Sequence, residues 1–399
     1  MKLFCTNCKK QYEDDSFRVA CTKCNEPLEV EHIKTGNIQY DNLFSQSPLQ
    51  RYQAFFPWVD GSRAVSLGEG FTPLVNADVL AERLGLKELW LKNETVNPTW
   101  SFKDRGTITG ILHAVKLGYK RIGTVSTGNM AASVAAYGAK MGMETFVFVH
   151  ESLPDEKLNP IAMYGPHVIK VQGDYERLYT ETLKISAEQD IYFVNSDVPF
   201  RVEGYKALSF EICEQLEFNP PDYVVVPTGS GGNLRGILKG FEEFQTAGLI
   251  QAVPQMIVAQ ASGSAPIVEA YEQGHETVKR VESPCTMAGA IANPLPPSGN
   301  QVLRKLRDAK GLFSSVSENA IVKSQEDLAK AGFFVQPASA ATLAVVKNLC
   351  NAGILGKNDR VSCILTGSGL KYTKAFKAHD LKHHTCKLDE INNKIREIG

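Results

Sequence analysis

Tyr223-Val224-Val225-Val226-Pro227-Thr228-Gly229-Ser230-Gly231-Gly232-Asn233-Leu234 reads as a short apolar strand, a glycine-rich loop and the start of a helix. A strand this uniformly apolar is expected to be covered on both faces, as strands of parallel sheets are. Free backbone amides at a helix N-terminus suit a phosphate group. The loop is not a dinucleotide fingerprint, because Leu234 stands where G-x-G-x-x-G needs its third glycine. It is not a P-loop either, since no Gly-Lys-Ser/Thr follows. A small phosphate fits it better than a nucleotide, and a plain tight turn is the alternative.

The same strand-to-helix rhythm runs outward on both sides. Ile122-Gly123-Thr124-Val125-Ser126 reads as a strand, followed by a small-residue helix from Met130 to Lys140. Thr145–Val149, Val168–Val171, Ile191–Val194, Met256–Ala259 and Val361–Leu365 read as further strands, with a helical stretch from Tyr175 to Glu188. Alternating apolar strands and helices predict an α/β fold with parallel sheets. A chain of 399 residues is too long for one ordinary core and predicts two or three domains. Short-period repeats and low-complexity segments are absent.

Composition narrows the class. Hydrophobic residues make up 43% and charged residues 22%, as in ordinary globular proteins. A net charge of −1 and a pI near 6.7 give no global pull toward nucleic acid or anionic membrane. No apolar run reaches a membrane-spanning length, and Met1-Lys2-Leu3-Phe4-Cys5 does not open a signal peptide. A cytoplasmic protein is expected.

Nine cysteines are present, an odd number, and four lie in the first 24 residues as Cys5-Thr6-Asn7-Cys8 and Cys21-Thr22-Lys23-Cys24. Two C-x-x-C knuckles aim four sulfurs at one point and suit tetrahedral zinc. Their spacing is slightly shorter than usual for a ribbon. A metal-free ribbon or a redox pair remains open. The polar tail beyond Lys377, with Lys382-His383-His384 and Cys386, reads as a solvated terminal helix.

Three further segments carry chemistry. Asn97-Pro98-Thr99-Trp100-Ser101-Phe102-Lys103-Asp104-Arg105-Gly106 places a lysine at an expected helix start, where the helix dipole favours a neutral amine able to form a Schiff base. Most lysines are simply solvent-exposed, so this reading needs company. Ser126-Thr127-Gly128-Asn129-Met130 joins a strand to a helix, with a glycine that admits close approach and an amide that can donate and accept. A plain N-cap is its alternative. Leu365-Thr366-Gly367-Ser368-Gly369-Leu370-Lys371 puts a hydroxyl at the carboxyl edge of a sheet, where α/β ligands bind.

Together these segments resemble the tryptophan-synthase-β-like family of pyridoxal phosphate (PLP) enzymes, fold type II, and its threonine synthases in particular. The resemblance runs from Leu67-Gly68-Glu69-Gly70-Phe71-Thr72-Pro73-Leu74 to Leu370-Lys371. Ser101–Gly106 is similar to the family's lysine block, and Phe334-Val335-Gln336-Pro337-Ala338-Ser339-Ala340-Ala341 to a late block. The cysteine segment is similar to a ribbon carried by several threonine synthases.

The resemblance implies roles. Lys103 would carry PLP as a Schiff base and shuttle protons. Phe102 would help bury the ring, and Asn129 would meet its hydroxyl. Gly229, Ser230, Gly231, Gly232 and Asn233 would cup the cofactor phosphate, and Thr366 would meet the pyridine nitrogen. Ser126 and Thr127, with Asn129, would hold the substrate carboxylate. In Asn195-Ser196-Asp197-Val198-Pro199-Phe200-Arg201, the residues Asn195, Ser196 and Arg201 would bind a substrate phosphate, which an arginine fork suits. A surface loop with an ordinary Arg–Glu pair is the alternative there.

The implied reaction converts the amino-acid phosphate ester O-phospho-L-homoserine and water to L-threonine and phosphate. A related β-replacement or elimination, as in cysteate synthase or threonine dehydratase, stays open, as does a catalytically silent binding protein. Trp100, Tyr205 and Ser368 depart from the usual threonine synthase glycine, glutamine and histidine. The expected architecture is two open parallel-sheet domains with a zinc-ribbon-like segment at residues 1–35. Residues 45–110 and 200–380 would form the large PLP-binding domain, 111–199 a small mobile α/β domain and 381–399 a tail. A homodimer is expected.

Overall fold

The computed structural model describes the chain apart from residues 34–37, 39–46, 60–64, 127, 154, 173–174, 382 and 399. Three sheets organise it. The first is antiparallel, in the order β2-β1-β3, from β1 (Lys2–Cys5), β2 (Gln11–Glu13) and β3 (Leu28–Val30). The second has six strands, in the order β12-β11-β10-β13-β5-β4. Its members are β4 (Leu74–Asn76), β5 (Glu88–Asn93), β10 (Tyr223–Pro227), β11 (Gln255–Ala261), β12 (Leu312–Val316) and β13 (Arg360–Leu365). The third has four parallel strands, in the order β8-β7-β6-β9, from β6 (Arg121–Val125), β7 (Glu144–His150), β8 (His167–Val171) and β9 (Ile191–Phe193).

The valines of β10 are fully buried, paired in parallel with β11 on one side and β13 on the other. The expectation of wholly parallel sheets needs one correction. Strand β4 runs antiparallel to β5, with Leu74 opposite Lys92. It lies at the sheet edge, where pairing on one side suffices. Strands β5 and β12 escape a search for apolar runs, because Glu88 and Lys92 break one and Ser314-Ser315 the other. Lys92 nonetheless sits at zero exposure, its amine 2.7 Å from a Glu211 carboxylate oxygen.

One helix, Lys103–Lys116, connects the sheets. Gly106 and Gly110 lie on the same face as Lys103, three and seven residues along. A Cβ on Gly106 would sit 2.7 Å from the Arg201 carbonyl and 2.7 Å from the Tyr205 ring, so only glycine admits these neighbours. Gly204 returns the fit, because a Cβ there would lie 2.0 Å from the Arg105 carbonyl. The short helix Pro199–Glu203 is thereby pressed against the lysine helix. The carboxyl ends of β6, β9, β10 and β13 supply the loops bearing Ser126, Asn195, Gly229 and Thr366, the edge where open α/β sheets take ligands. No helix among the described residues is long and apolar enough to cross a membrane.

Candidate active site

Lys103 is the first residue of its helix. The segment before it is tied to the β13 loop by backbone bonds. The Phe102 N–H donates to the Thr366 carbonyl at 3.0 Å, and the Ser368 N–H to the Trp100 carbonyl at 3.0 Å. The Lys371 amine anchors the Thr99 carbonyl at 2.7 Å. Lysine and Thr366 are thus held together by covalent neighbours rather than by side-chain chance.

The Lys103 amine lies 4.4 Å over the Phe102 ring. Burial pushes its pKa well below the ordinary lysine value, and the positive charge of Arg201 pushes it further. Both causes act in the same direction as the positive helix end expected from the sequence. The Phe102 ring in turn lies 5.1 Å from that of Tyr205.

Asn129 begins the helix Asn129–Met141. Its Nδ2 donates to Gln336 Oε1 at 2.9 Å, while its Oδ1 is buried without a partner. Gln336 Nε2 donates to Thr366 Oγ1 at 3.0 Å, and Ser339 Oγ lies 3.0 Å from the same atom. Asn129 and Thr366 are therefore linked through Gln336. Sequence spacing gives Gln336 no role, because a lone glutamine has no period or motif; only the Phe334–Ala341 block hinted at it.

The Gly229–Asn233 loop is nearly bare backbone. A Cβ on Gly231, at φ +92°, would meet Val302 Cγ2 at 2.9 Å, and one on Gly232 would meet the Ser196 carbonyl at 2.7 Å. Ser230 Oγ accepts from Asn293 Nδ2 at 3.3 Å. Both amide atoms of Asn233 are buried and unpaired. Asn195 Oδ1 accepts from the Val125 N–H at 3.1 Å, but its Nδ2 has no partner. Ser126 Oγ accepts from the Gly128 N–H at 3.4 Å. Thr127 lies outside the described residues.

Arg201 is fully buried, and among the described residues no carboxylate or other hydrogen-bond acceptor engages its three guanidinium nitrogens apart from the facing Tyr205 hydroxyl. It lies 5.6 Å over the Tyr205 ring. An isolated buried cation is strongly unfavourable unless an anion comes to it. Unpaired polar atoms thus belong to Asn195, Arg201, Tyr205 and Asn233, and the Lys103 amine feels the Arg201 charge. The set fits PLP and a second anion: a bare amide loop for one phosphate, an amine whose pKa is pushed down, an unpaired amide oxygen and a hydroxyl for a polar ring, and a guanidinium for a further phosphate.

The four cysteines lie apart from this cluster. Their sulfurs fall within 4.8 Å of one another, with Cys5 and Cys24 at 3.3 Å and Cys8 and Cys21 at 3.5 Å. The Tyr12 hydroxyl donates to Cys21 Sγ at 3.1 Å, which favours a thiolate. Such a group can bind a metal ion. The segment is docked onto the enzyme body through Asp14, 2.7 Å from His113 on the lysine helix, and through Glu29, 3.0 Å from Lys305. His383, His384 and Cys386 of the tail are exposed.

Residues 65–367 match the family model described as pyridoxal-phosphate dependent enzyme. The chain is 39% identical to a threonine synthase of Methanocaldococcus jannaschii over 373 residues, 92% of each chain. It is 35% identical to a threonine synthase of Halalkalibacterium halodurans, covering 81% of this chain and 89% of that one. Among solved structures it is similar in fold to threonine deaminase isoform 2 from Solanum lycopersicum, with a TM-score of 0.64 and 21% identity, covering 78% of this chain and 88% of that one. Maize serine racemase gives 0.64 at 19% identity, covering 82% and 94%.

Proposed function

The chain belongs to the pyridoxal-phosphate dependent enzymes and within them to the threonine synthases, and on that premise we propose that it converts O-phospho-L-homoserine and water to L-threonine and phosphate. The observation that carries the substrate reading is Arg201, a buried guanidinium beside Lys103 that no carboxylate among the described residues engages. A phosphate ester supplies the missing acceptor.

Lys103, Phe102, Asn129, Thr366 and the Gly229–Asn233 amides would hold the cofactor. PLP, when bound, supplies the electron sink that lets protons leave the substrate's α and β carbons. Lys103, whose pKa burial and the Arg201 charge push well below the ordinary lysine value, would take the proton at Cα and then move protons at Cβ. Thr366 accepts from Gln336, and with Ser339 as the donor in their hydroxyl pair its own proton would be available for a ring nitrogen. Arg201, with Asn195 and Ser196, orients the phosphate that departs from Cγ. Ser126, Thr127 and Asn129 position the carboxylate, and the water oxygen ends on Cβ.

Four finer readings accompany this one. The cysteines hold one structural zinc through Cys5, Cys8, Cys21 and Cys24. Residues 111–199 form the smaller, mobile domain, with 45–110 and 200–380 the larger one and 381–399 a tail. The working form is a homodimer, which light scattering tests. Its place is the cytoplasm, which localisation of the tagged chain tests. The reaction is tested by phosphate release from O-phosphohomoserine and from O-phosphoserine, with and without sulfite. Threonine formed one-to-one with phosphate from the first ester supports the reading; release from phosphoserine only with sulfite would replace it with a β-replacement.

A further inference from the structure

Tyr205 is almost fully buried, and its hydroxyl proton meets no acceptor among the described residues. A buried phenol normally finds one. Its ring is fixed on two sides, by Phe102 at 5.1 Å and by Gly106, where no Cβ would fit. Gly106 lies one turn beyond Lys103, so the phenolic end stands on the lysine's face of the helix. The Arg201 guanidinium, with no carboxylate partner among the described residues, lies over the same ring.

Nearby carboxylates are already engaged. Asp104 accepts from the Thr99 N–H at 2.7 Å, the Thr99 hydroxyl at 2.6 Å and the Ser133 hydroxyl at 2.6 Å. Asp197 accepts from the Tyr179 hydroxyl. The Tyr205 oxygen faces the Arg201 guanidinium and can accept from it, which leaves the phenolic proton and the other guanidinium hydrogens with no acceptor among the described residues.

We propose that Tyr205 is a specificity-determining residue, whose hydroxyl donates with Arg201 to the phosphate of the substrate and of the released product. The inference rests on the phosphate-ester reading of this site. A phenol O–H and a guanidinium fork offer donors to different oxygens of one tetrahedral anion, which a planar carboxylate would match less well.

The test uses holoenzyme, whose glycine loop is already filled by the cofactor. Inorganic phosphate is titrated calorimetrically into wild type and Tyr205→Phe, a change that keeps the ring and removes only the hydroxyl. The phosphate Kd should rise about tenfold to a hundredfold, and the KM for O-phosphohomoserine in step. The Tm of the ligand-free protein should stay equal or rise, because the lost hydroxyl proton had no acceptor to forfeit. A merely structural tyrosine would give the opposite pattern, a lower Tm with unchanged phosphate binding, and that result overturns the proposal. So does failure of wild type to bind phosphate. If wild type leaves O-phosphohomoserine untouched yet binds phosphate through Tyr205, the receptor stands and the reaction reading falls. Turnover with Tyr205-independent phosphate binding does the reverse.

Discussion

Arg105, on the lysine helix, and Arg201, on the short helix packed against it, are both buried, and their surroundings could hardly differ more. Arg105 Nε donates to Glu94 Oε2 at 2.6 Å, its Nη1 to Glu211 Oε1 at 2.6 Å, and its Nη2 to Glu94, Glu211 and Thr72. Lys92 completes the set at 2.7 Å from Glu211. Arg201 has none of this. A satisfied buried charge network fixes architecture, here clamping β5, the lysine helix and the helix Lys206–Gln215 into one body. An unsatisfied one is completed by a ligand. On the proposed reading, the contrast separates a scaffold cation from a ligand-binding one.

The largest effect is expected where the unpaired cluster meets the covalent chemistry. Lys103→Ala should abolish the visible cofactor band and lower turnover by several orders of magnitude, since it removes both the attachment point and the proton carrier. Borohydride reduction followed by peptide mapping should place the cofactor on Lys103. Label on Lys92 or Lys206 would break the assignment; the structure ties both to carboxylates, Lys92 to Glu211 and Lys206 to Glu243.

Next in size is Arg201→Ala. It should cut kcat/KM for the phosphorylated substrate roughly 10- to 1000-fold, at about 1.4 kcal/mol per decade. Cofactor affinity should hardly change, because the proposed seat of the cofactor phosphate is the Gly229–Asn233 loop. Equal losses on unphosphorylated serine or threonine would make Arg201 scaffold after all.

The paired side of the comparison can be sharpened with pH. Burial alone would raise the Glu211 carboxyl, but Arg105 and Lys92 outweigh it and hold the pKa down, from 4.5 to about 2. Glu29 is likewise lowered to about 2, against burial, by Lys305, Arg235 and Lys239. A depressed carboxyl pKa stabilises the fold above the unfolded value and loses that contribution as pH falls through the folded one. Denaturant midpoints should therefore drop between about pH 4.5 and 2. Glu211→Gln should flatten that drop, while Arg201→Ala should leave it in place.

The smallest effect concerns the cysteines. Metal analysis of protein purified under reducing conditions should find one zinc per chain, and Cys21→Ser should lower it while sparing the chemical step. No metal in the wild type would leave a bare ribbon.

Much of this was legible in the sequence. The β10 loop, the β6-to-Asn129 junction and the Lys103 helix start all lie where apolar runs and glycines place them. What hid was polar. Strand β5 is masked by Lys92, a charge that reads as exposed until Glu211 is seen beside it. Gln336 carries no pattern, yet it joins Asn129 to Thr366. Arg201 was nameable only through resemblance, because no sequence states whether a guanidinium is paired. Tyr205 stood out as a departure but gained meaning only from a hydroxyl proton with no acceptor. Chain-local signals survive in one dimension, whereas satisfaction of a buried donor is decided by residues far apart in sequence.

The central claim, that pairing separates scaffold from ligand site, is tested most directly by the thermal midpoints of Arg105→Met and Arg201→Met in ligand-free protein. Removing Arg105 leaves the buried Glu94 carboxylate without a cation and Glu211 with Lys92 alone, and should cost about 3–5 kcal/mol, a drop of several degrees. Removing Arg201 relieves an unpaired cation and should leave the midpoint unchanged or raise it, even as phosphate binding is lost. Equal drops in both variants would contradict the account.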